Sequence, residues 1–218
     1  MNNIDLSLYL VTDNSDDVEK FLKTIEEGIK GGVSVVQIRE KTADTLDFYN
    51  LALKVKEITT KYNVPLIIND RVDVALAIDA DGVHVGQSDM PCNVTRRLIG
   101  EDKILGVSAA TIEEAKKAQR DGADYIGTGA VFPTQTKKDA DSVTKQQLKE
   151  IVESIDIPVV AIGGITLENA IELKDTGISG LSVVSAIMSS DNPKKSSEKL
   201  NIEADEMKEV SLPDLLSP

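Results

Sequence analysis

Residues 64–89 have the sequence VPLIINDRVDVALAIDADGVHVGQSD, which contains one strand–helix–strand unit. Val64–Ile68 is a short run in which apolar residues stand at neighbouring positions, and Gly82–Val85 is a second short run rich in valine. Short apolar runs of this kind are typical of parallel strands that are buried on both faces. Val72–Ala77 lies between them and predicts a short helix. The stretch therefore predicts two parallel strands joined by a helix.

The same alternation of apolar runs and amphipathic segments recurs along most of the chain. The predicted strands are Leu6–Val11, Val33–Ile38, Val64–Ile68, Gly82–Val85, Ile104–Val107, Tyr125–Gly127, Pro158–Ile162 and Leu181–Val184. The predicted helices are Asp16–Lys30, Thr45–Lys61, Val72–Ala77, Asn93–Leu98, Thr111–Asp121, Gln146–Ser154, Leu167–Asp175 and Pro193–Leu200. Strands and helices that alternate in this way predict an α/β fold, a (β/α)8 TIM barrel. A doubly wound open sheet is the alternative, but no glycine-rich dinucleotide-binding motif follows the first strand.

Two helix starts carry residues that are typical of helix caps. Ser15 or Asp16 is expected to cap the first helix, because a short polar side chain can accept from the free N–H groups there. Thr111 and Glu114 have the spacing of a capping box, which predicts the start of the fifth helix.

The domain organisation follows from composition along the chain. Residues 6–200 show no internal linker, and residues 1–200 are expected to form a single TIM-barrel catalytic domain. Residues 201–218 differ, because five acidic residues there stand against the single Lys208. We expect a flexible or loosely docked acidic tail in this segment. An interaction peptide or the start of a further partner domain is the alternative.

Charge and composition exclude several classes of function. The chain has 218 residues, with 24 Lys and Arg against 37 Asp and Glu, a formal net charge of −13. Nucleic-acid-binding domains usually carry a basic surface, so no nucleic-acid partner is expected. No stretch approaches the roughly 20 apolar residues that span a bilayer, and no signal peptide is recognisable, so no membrane partner is expected either. The only cysteine, Cys92, cannot form an intrachain disulfide, which fits a cytoplasmic location.

Basic side chains follow two of the predicted strands. Active sites of such barrels lie at the carboxyl ends of the strands, where the loops carry the functional residues. Arg39 and Lys41 follow the second strand, and Lys137 or Lys138 follows the sixth. One arginine side chain can bind two phosphate oxygens at once, and a lysine supplies a point charge. These residues therefore predict an anion site. A solvated or ion-paired rim is the alternative.

Two carboxylates follow the third and fourth predicted strands. Asp70 and Asp89 are two carboxylates with no thiolate or second imidazole to form a softer site with them, and carboxylate oxygens are ligands that Mg²⁺ prefers. The pair therefore predicts a magnesium site. As alternatives, Asp70 could cap the following helix and Asp89 could be a loop residue. His84, the single histidine, is as compatible with a hydrogen-bonded core residue as with a catalytic base.

The ends of the last two predicted strands resemble a phosphate-binding turn. Gly163 and Gly164 follow the seventh strand and Ser185 follows the eighth, where many barrels bind a phosphate through backbone N–H groups. A plain turn with a helix cap is the alternative. A basic rim, two carboxylates and a separate phosphate turn indicate two anionic substrates or one substrate with two anionic ends. The metal and the cations at one end indicate a pyrophosphate leaving group there.

Seven motifs together resemble one known family. They are QIREK (37–41), INDR (68–71), GVHVGQSD (82–89), GVS (106–108), GTGAVFPTQTK (127–137), AIGGIT (161–166) and VVSAI (183–187). In this order, and at matching strand ends, they are similar to thiamine phosphate synthase. The resemblance spans about residues 6–190 and implies a (β/α)8 barrel. It implies a transferase that joins a hydroxymethylpyrimidine pyrophosphate to a thiazole phosphate, giving thiamine phosphate and pyrophosphate.

The resemblance also implies roles for individual residues. Arg39, Lys41 and Lys137 would act in catalysis, and Asp70 and Asp89 would hold Mg²⁺. The substrate-binding set for the two phosphorylated substrates would be Gln37, Ile38, Arg39, Glu40, Lys41, Asn69, Ser108, Thr134, Gln135, Thr136, Lys137, Gly164, Val184 and Ser185. Of these, Thr134, Gln135, Thr136, Gly164, Val184 and Ser185 would bind the thiazole phosphate. The expected mechanism is a dissociative substitution assisted by Mg²⁺.

Several alternatives stay open at this point. A thiazole tautomerase of the same superfamily is the first, although by the resemblance such proteins use a histidine where this chain has Ala109 and Ala110. A non-catalytic ligand-binding barrel is the second. The little sequence before the first strand could leave the bottom of the barrel open or covered by a second copy, so a homo-oligomer is not excluded. Carboxylated and plain thiazole phosphate both fit, and residues 132–142 could close as a lid.

Overall fold

The architecture is that of a computed structural model, which describes residues 4–14, 16–134 and 142–209, and for 206–209 the backbone alone. The strands are β1 (Leu8–Val11), β2 (Val35–Ile38), β3 (Leu66–Asn69), β4 (Gly82–Val85), β5 (Ile104–Ser108), β6 (Tyr125–Thr128), β7 (Val159–Ile162) and β8 (Gly180–Val183). The helices are α1 (Val18–Lys30), α2 (Thr45–Tyr62), α3 (Val72–Ala77), α4 (Cys92–Ile99), α5 (Ile112–Arg120), α6 (Lys145–Glu153), α7 (Ser185–Met188) and α8 (Pro193–Glu209).

The strands form one closed parallel barrel in sequence order, in which β8 pairs with β1. Each strand hydrogen-bonds to its neighbours in the chain. Helices α1 to α6 lie between consecutive strands, whereas α7 and α8 both follow β8. The predicted (β/α)8 barrel is therefore confirmed. The strand positions predicted from the apolar runs agree with the observed ones to within two residues at each end.

Both faces of every strand are buried, which explains the unbroken apolar runs. Side chains alternate along a strand between the barrel interior and the layer under the helices. In β1, Tyr9 and Val11 belong to the interior cluster, whereas Leu8 and Leu10 pack beneath the helices. Leu6, just before β1, belongs to the same interior cluster and is buried at its amino-terminal end.

The two predicted helix caps had different outcomes. The capping box is confirmed, because Thr111 Oγ1 accepts from Glu114 N at 3.2 Å and Glu114 Oε2 accepts from Thr111 N at 3.3 Å. The cap predicted for α1 is wrong, because Asp17 accepts from Lys20 N at 3.0 Å. Several short polar residues precede α1, and only the backbone geometry selects one of them as the cap.

The helix predicted at Leu167–Asp175 is only a 3₁₀ turn over Ala170–Leu173. Asn169 Oδ1 accepts from Thr166 N at 2.8 Å and Asn169 Nδ2 donates to Gly164 O at 2.9 Å. These local bonds compete with an α-helix, as asparagine side chains commonly do. The segment is thereby tied to the end of β7.

The last helix is longer than predicted. It continues past Leu200 to Glu209, and both Leu200 and Ala204 are buried. The segment 201–209, for which a flexible or loosely docked tail is expected, thus continues α8, and Ala204 in it is buried. Residues 210–218 lie outside the described part of the chain. Within the described part, none of the helices is both long enough and apolar enough to cross a bilayer.

Arg96 ties the amino-terminal ends of two strands together beneath the barrel. Its guanidinium donates to Gly122 O at 2.9 and 3.0 Å, to Gly100 O at 2.7 Å and to Lys103 O at 2.7 Å. It also forms an ion pair of 2.6 Å with Asp124, whose carboxylate in turn accepts from Leu105 N at 2.7 Å. Arg96 is 8% exposed and the Asp124 side chain 27%, so the guanidinium is buried while its partners stay in partial contact with water.

The single cysteine is expected to resist alkylation in the native protein. Cys92 is buried at the start of α4. This burial, with the nearby Asp121 carboxylate, raises the pKa of its thiol to about 11. A thiol with an ordinary pKa of about 8.5 would hold a several-hundred-fold larger thiolate fraction at neutral pH. Mass spectrometry after iodoacetamide at pH 8 should show almost no adduct, and one adduct when the protein is first unfolded. Rapid labelling of the native protein would contradict the burial of this thiol.

Candidate active site

A cavity of about 470 Å³ opens at the carboxyl ends of the strands. It is lined by eleven of the residues predicted for the site, namely Gln37, Arg39, Lys41, Asn69, Asp70, Asp89, Ser108, Thr134, Gly164, Val184 and Ser185. They come from all strand ends between β2 and β8, so the closed barrel brings together residues that are far apart in the sequence. Gln135, Thr136, Lys137 and Lys138 lie outside the described residues.

The stretch from Gln37 to Lys41 divides between two faces. Gln37, Arg39 and Lys41 line the cavity, as alternation along β2 requires. Ile38 points the other way and is fully buried in the layer beneath the helices. Burial raises the pKa of Glu40, but Thr42 and Ala43 donate to its carboxylate and the net pKa is lowered. The side chains of Ile38 and Glu40 are thus not brought to the cavity.

The carboxylates of Asp70 and Asp89 lie side by side at the cavity wall. Asp70 adopts a left-handed backbone with φ 62°, and its N–H donates to His84 O at 2.8 Å. Asp89 Oδ2 accepts from Gly86 N at 2.7 Å. Burial raises the pKa of Asp70, the ion pair with Lys41 lowers it, and the Asp89 carboxylate raises it further, with a net increase. Two carboxylates held this close favour a cation between them.

The donor set fits a magnesium ion that takes part of its shell from substrate. Among the described residues, no group of three or more histidine, cysteine, aspartate or glutamate side chains gathers in one place. Mg²⁺ is usually bound by one or two carboxylates, with water and phosphate oxygens completing its octahedron. Asp70 and Asp89 provide these two carboxylates, and the cavity beside them has room for the other ligands.

The glycine pair after β7 permits a close crossing of two loops. Gly163 has φ 103° and Gly164 has φ 64°, a region that favours glycine. A Cβ atom on Gly164 would collide with the carbonyl oxygens of Phe132 and Pro133, and Phe132 N donates to Gly163 O at 3.0 Å. The turn therefore holds the start of the loop after β6 against the mouth of the cavity. Ser185 opens the short helix α7 at the same mouth.

A line of buried hydrogen bonds forms the floor of the cavity. Gln37 Nε2 donates to Tyr9 Oη at 2.7 Å, and the hydroxyls of Tyr9 and Tyr125 lie 2.6 Å apart. Tyr125 Oη lies 3.0 Å from His84 Nδ1, and His84 Nε2 lies 2.9 Å from Ser108 Oγ. His84 is therefore a hydrogen-bonded residue of the floor, one of the two roles expected for it.

Tyr9 and Tyr125 were not predicted as site residues. They lie within apolar strand runs and count as hydrophobic in any periodicity analysis. A signal was nevertheless available, because the chain has only 4 tyrosines and two of them stand at interior positions of predicted strands. A buried tyrosine usually needs a partner for its hydroxyl, which points to a polar centre inside the barrel.

Comparison with known proteins agrees with this geometry. The model of the family described as thiamine monophosphate synthase matches residues 8–187. A thiamine-phosphate synthase of Methanobrevibacter smithii is 78% identical over 200 residues, which cover 92% of this chain and 96% of that protein. One of Alkaliphilus oremlandii is 58% identical over 202 residues, covering 91% and 96%.

A solved structure shows the same arrangement of the chain. The thiamine phosphate pyrophosphorylase from Pyrococcus furiosus superposes with a TM-score of 0.84 at 39% identity, over 94% of this chain and 98% of that one. The family resemblance predicted from the seven motifs is thereby confirmed. The chain belongs to the thiamine monophosphate synthase family of transferases.

Proposed function

We propose that the cavity joins 4-amino-2-methyl-5-hydroxymethylpyrimidine pyrophosphate to a thiazole phosphate, with release of pyrophosphate. The observation that carries the proposal is the layout of charge in one cavity. The carboxylates of Asp70 and Asp89 lie with Arg39 and Lys41 on the β2–β4 side, and the turn at Gly164 lies on the β7–β8 side. Two separate anion sites suit one substrate that leaves a pyrophosphate and another that is anchored by a phosphate.

The pyrophosphate of the pyrimidine substrate would be held by a metal ion and by basic side chains. Asp70 and Asp89 would bind Mg²⁺, which stabilises negative charge on the departing pyrophosphate. Arg39 offers paired donors and Lys41 a mobile point charge. Lys41 pairs with Asp70 and is largely exposed, so its side chain can turn to a phosphate oxygen without leaving the cavity mouth. Lys137 is assigned to this end by the family resemblance.

The thiazole end would be formed by the loops after β6, β7 and β8. Thr134, Gly164, Val184 and Ser185 line one side of the cavity and supply hydroxyl and backbone N–H donors. Gln135 and Thr136 are assigned here by the family resemblance. A phosphate held at this turn would point the thiazole nitrogen toward the pyrimidine. Such positioning lowers the loss of translational and rotational entropy in the reaction step.

The reaction is proposed to be a dissociative substitution. The bond between the pyrimidine methylene carbon and the pyrophosphate oxygen breaks, and the electron pair leaves with the pyrophosphate. The aminopyrimidine ring spreads the positive charge of the methylene carbon. The thiazole nitrogen then supplies the electron pair of the new carbon–nitrogen bond. The chain contributes positioning and electrostatic stabilisation, and no covalent link to a side chain is required.

A coupling assay tests the proposed function. Purified protein is incubated with the pyrimidine pyrophosphate and either plain or carboxylated thiazole phosphate, and thiamine phosphate is measured as fluorescent thiochrome. We expect product that depends on Mg²⁺ and is abolished by a chelator. Isomerisation of the thiazole without coupling would favour the tautomerase instead. Binding of the substrates by folded protein without turnover would favour a non-catalytic barrel.

A further inference from the structure

The hydrogen-bond chain in the cavity floor connects two residues that face the substrate. Gln37 on β2 and Ser108 on β5 both line the cavity from opposite parts of the barrel. Tyr9, Tyr125 and His84 bridge them through the interior and are themselves 8% exposed or less. Five polar groups in one buried line are costly unless each hydrogen has an acceptor. The hydrogen bonds of this line therefore run from donor to acceptor in one preferred direction.

We propose that Tyr9, Tyr125 and His84 are positioning residues that fix Ser108 as a hydrogen-bond donor and Gln37 as an acceptor toward the ligand. In this way they make the cavity selective for an aminopyrimidine over the corresponding oxopyrimidine. The inference rests on the proposed function, since it concerns how the same cavity recognises the pyrimidine.

The donor-to-acceptor direction follows from counting the hydrogens along the hydrogen-bond chain. Gln37 Nε2 donates to Tyr9, so the oxygen of Tyr9 accepts and its own hydrogen needs a partner. Among the described residues, the only other hydrogen-bonding group at this hydroxyl is that of Tyr125. Tyr9 therefore donates to Tyr125. The Gln37 amide also acts as a donor to the Tyr125 hydroxyl, so among the described residues here the hydrogen of Tyr125 goes to His84 Nδ1. With Gln37 Nε2 facing Tyr9, the opposite direction would bury the Tyr9 hydrogen without an acceptor.

The direction at His84 decides the role of Ser108. When Nδ1 accepts, a neutral imidazole carries its hydrogen on Nε2, which donates to Ser108 Oγ. The Ser108 hydroxyl hydrogen is then free to point into the cavity. At the other end, Gln37 Nε2 is engaged by Tyr9, and no described residue donates to Gln37 Oε1. The floor thus presents one donor and one acceptor.

This pattern matches an aminopyrimidine and mismatches its oxo analogue. The amino ring offers ring nitrogens as acceptors and an exocyclic amine as donor. In the oxo ring, the amine is replaced by a carbonyl acceptor and a neighbouring ring nitrogen carries hydrogen. Sites that leave a buried polar group unpaired reject the wrong ligand strongly.

The packing around the hydrogen-bond chain holds its rings in place. A Cβ atom on Gly106 would overlap the Tyr125 ring and hydroxyl, and a Cβ atom on Gly127 would lie 3.1 Å from His84 Cε1. The Tyr9 and Tyr125 rings are tilted at 53° with centroids 5.7 Å apart. Two interior positions thus carry no side chain where Tyr125 and His84 need the space.

The first test is the tautomer of His84, which can be measured without substrate. The chain has 1 histidine, so ¹⁵N-histidine labelling gives one pair of ring signals. We expect Nδ1 to show the shift of an unprotonated acceptor and Nε2 that of a protonated donor at neutral pH. In Tyr125→Phe, this single-tautomer signal should be lost. A hydrogen on Nδ1 in the unsubstituted protein would overturn the proposal.

The second test is selectivity, with binding measured alongside turnover. We expect unsubstituted protein to prefer the amino over the oxo pyrimidine pyrophosphate by about 10³-fold. Tyr125→Phe should lower this ratio at least tenfold and raise the KM for the pyrimidine, with the KM for thiazole phosphate unchanged. Tyr62→Phe is the matched control, because it also loses one hydrogen bond, of 2.7 Å to Glu26, but far from the cavity.

The outcomes separate this proposal from the proposed function. If thiamine phosphate forms and Tyr125→Phe keeps the selectivity of the unsubstituted protein, the positioning role is wrong and the synthase stands. If no thiamine phosphate forms, the synthase is wrong, and calorimetry with the free amino and oxo hydroxymethylpyrimidines still measures the selectivity. Equal binding of both rings by unsubstituted protein would then overturn the positioning role as well.

Discussion

Asp70→Asn is expected to lower kcat/KM for thiamine phosphate formation by about 10³-fold, the size seen when one electrostatic contact to a transition state is removed. Asp70 pairs with Lys41, a proposed partner of the pyrophosphate, and lies beside Asp89, the other proposed ligand of Mg²⁺. The amide keeps the shape of the side chain but removes its charge. Half of the protein charge that attracts Mg²⁺ is then gone, and the Mg²⁺ concentration needed for half-maximal rate should rise.

Asp73→Asn provides the matched control for this substitution. Asp73 lies three residues further along, is largely exposed and pairs with Arg71 at 2.6 Å. The same chemical change there should leave the rate and the Mg²⁺ requirement unchanged. Thermal unfolding of both variants shows whether the fold is intact. Near-normal turnover by folded Asp70→Asn protein would remove Asp70 from the proposed metal site.

Arg96→Ala is expected to lower the free energy of unfolding by about 3 kcal/mol, the lower end of the range for a broken buried ion pair, because Asp124 is partly exposed. Asp124 would keep its charge without its guanidinium, and the carbonyl oxygens of Gly100, Lys103 and Gly122 would lose their donors. For a domain of this size, the loss corresponds to a fall in melting temperature of about 10 °C.

Arg97→Ala separates this effect from the general loss of an arginine in α4. Arg97 is the next residue, but it is exposed. Its removal should change the free energy of unfolding by less than about 0.5 kcal/mol, as is usual for surface substitutions. Denaturant unfolding of both variants measures the difference. Equal stabilities of the two variants would mean that the array around Arg96 does not hold the strand ends together.

The barrel itself was predictable because its signal is repeated in the chain. Runs such as Leu66–Ile68 and Val159–Ile162 are apolar at consecutive positions, and this pattern occurs where a strand is covered on both sides. The end of α8 was not predictable in the same way. Its burial of Ala204 depends on the surface of α1 and β1, against which α8 packs.

The site likewise has residues that the sequence predicts and contacts that it does not. Arg39, Asp70 and Ser185 were predictable, because a parallel barrel places every strand end at one mouth. The pairing of Lys41 with Asp70 was not, since it depends on the left-handed backbone at Asp70 and on the direction of the loop after β2. Tyr9 and Tyr125 escaped detection because a hydroxyl at the tip of an aromatic ring leaves no mark on an apolar pattern.

Closure of the barrel through β8 has a consequence for synthesis of the protein. Leu8 pairs with Leu181, so the two strands that complete the sheet are separated by most of the chain. Contacts of such long sequence separation form slowly, and until they form, β1 exposes an open edge. A ribosome must therefore pass β8 before the growing chain can close, and chains cut short before Gly180 are expected to associate with one another rather than fold.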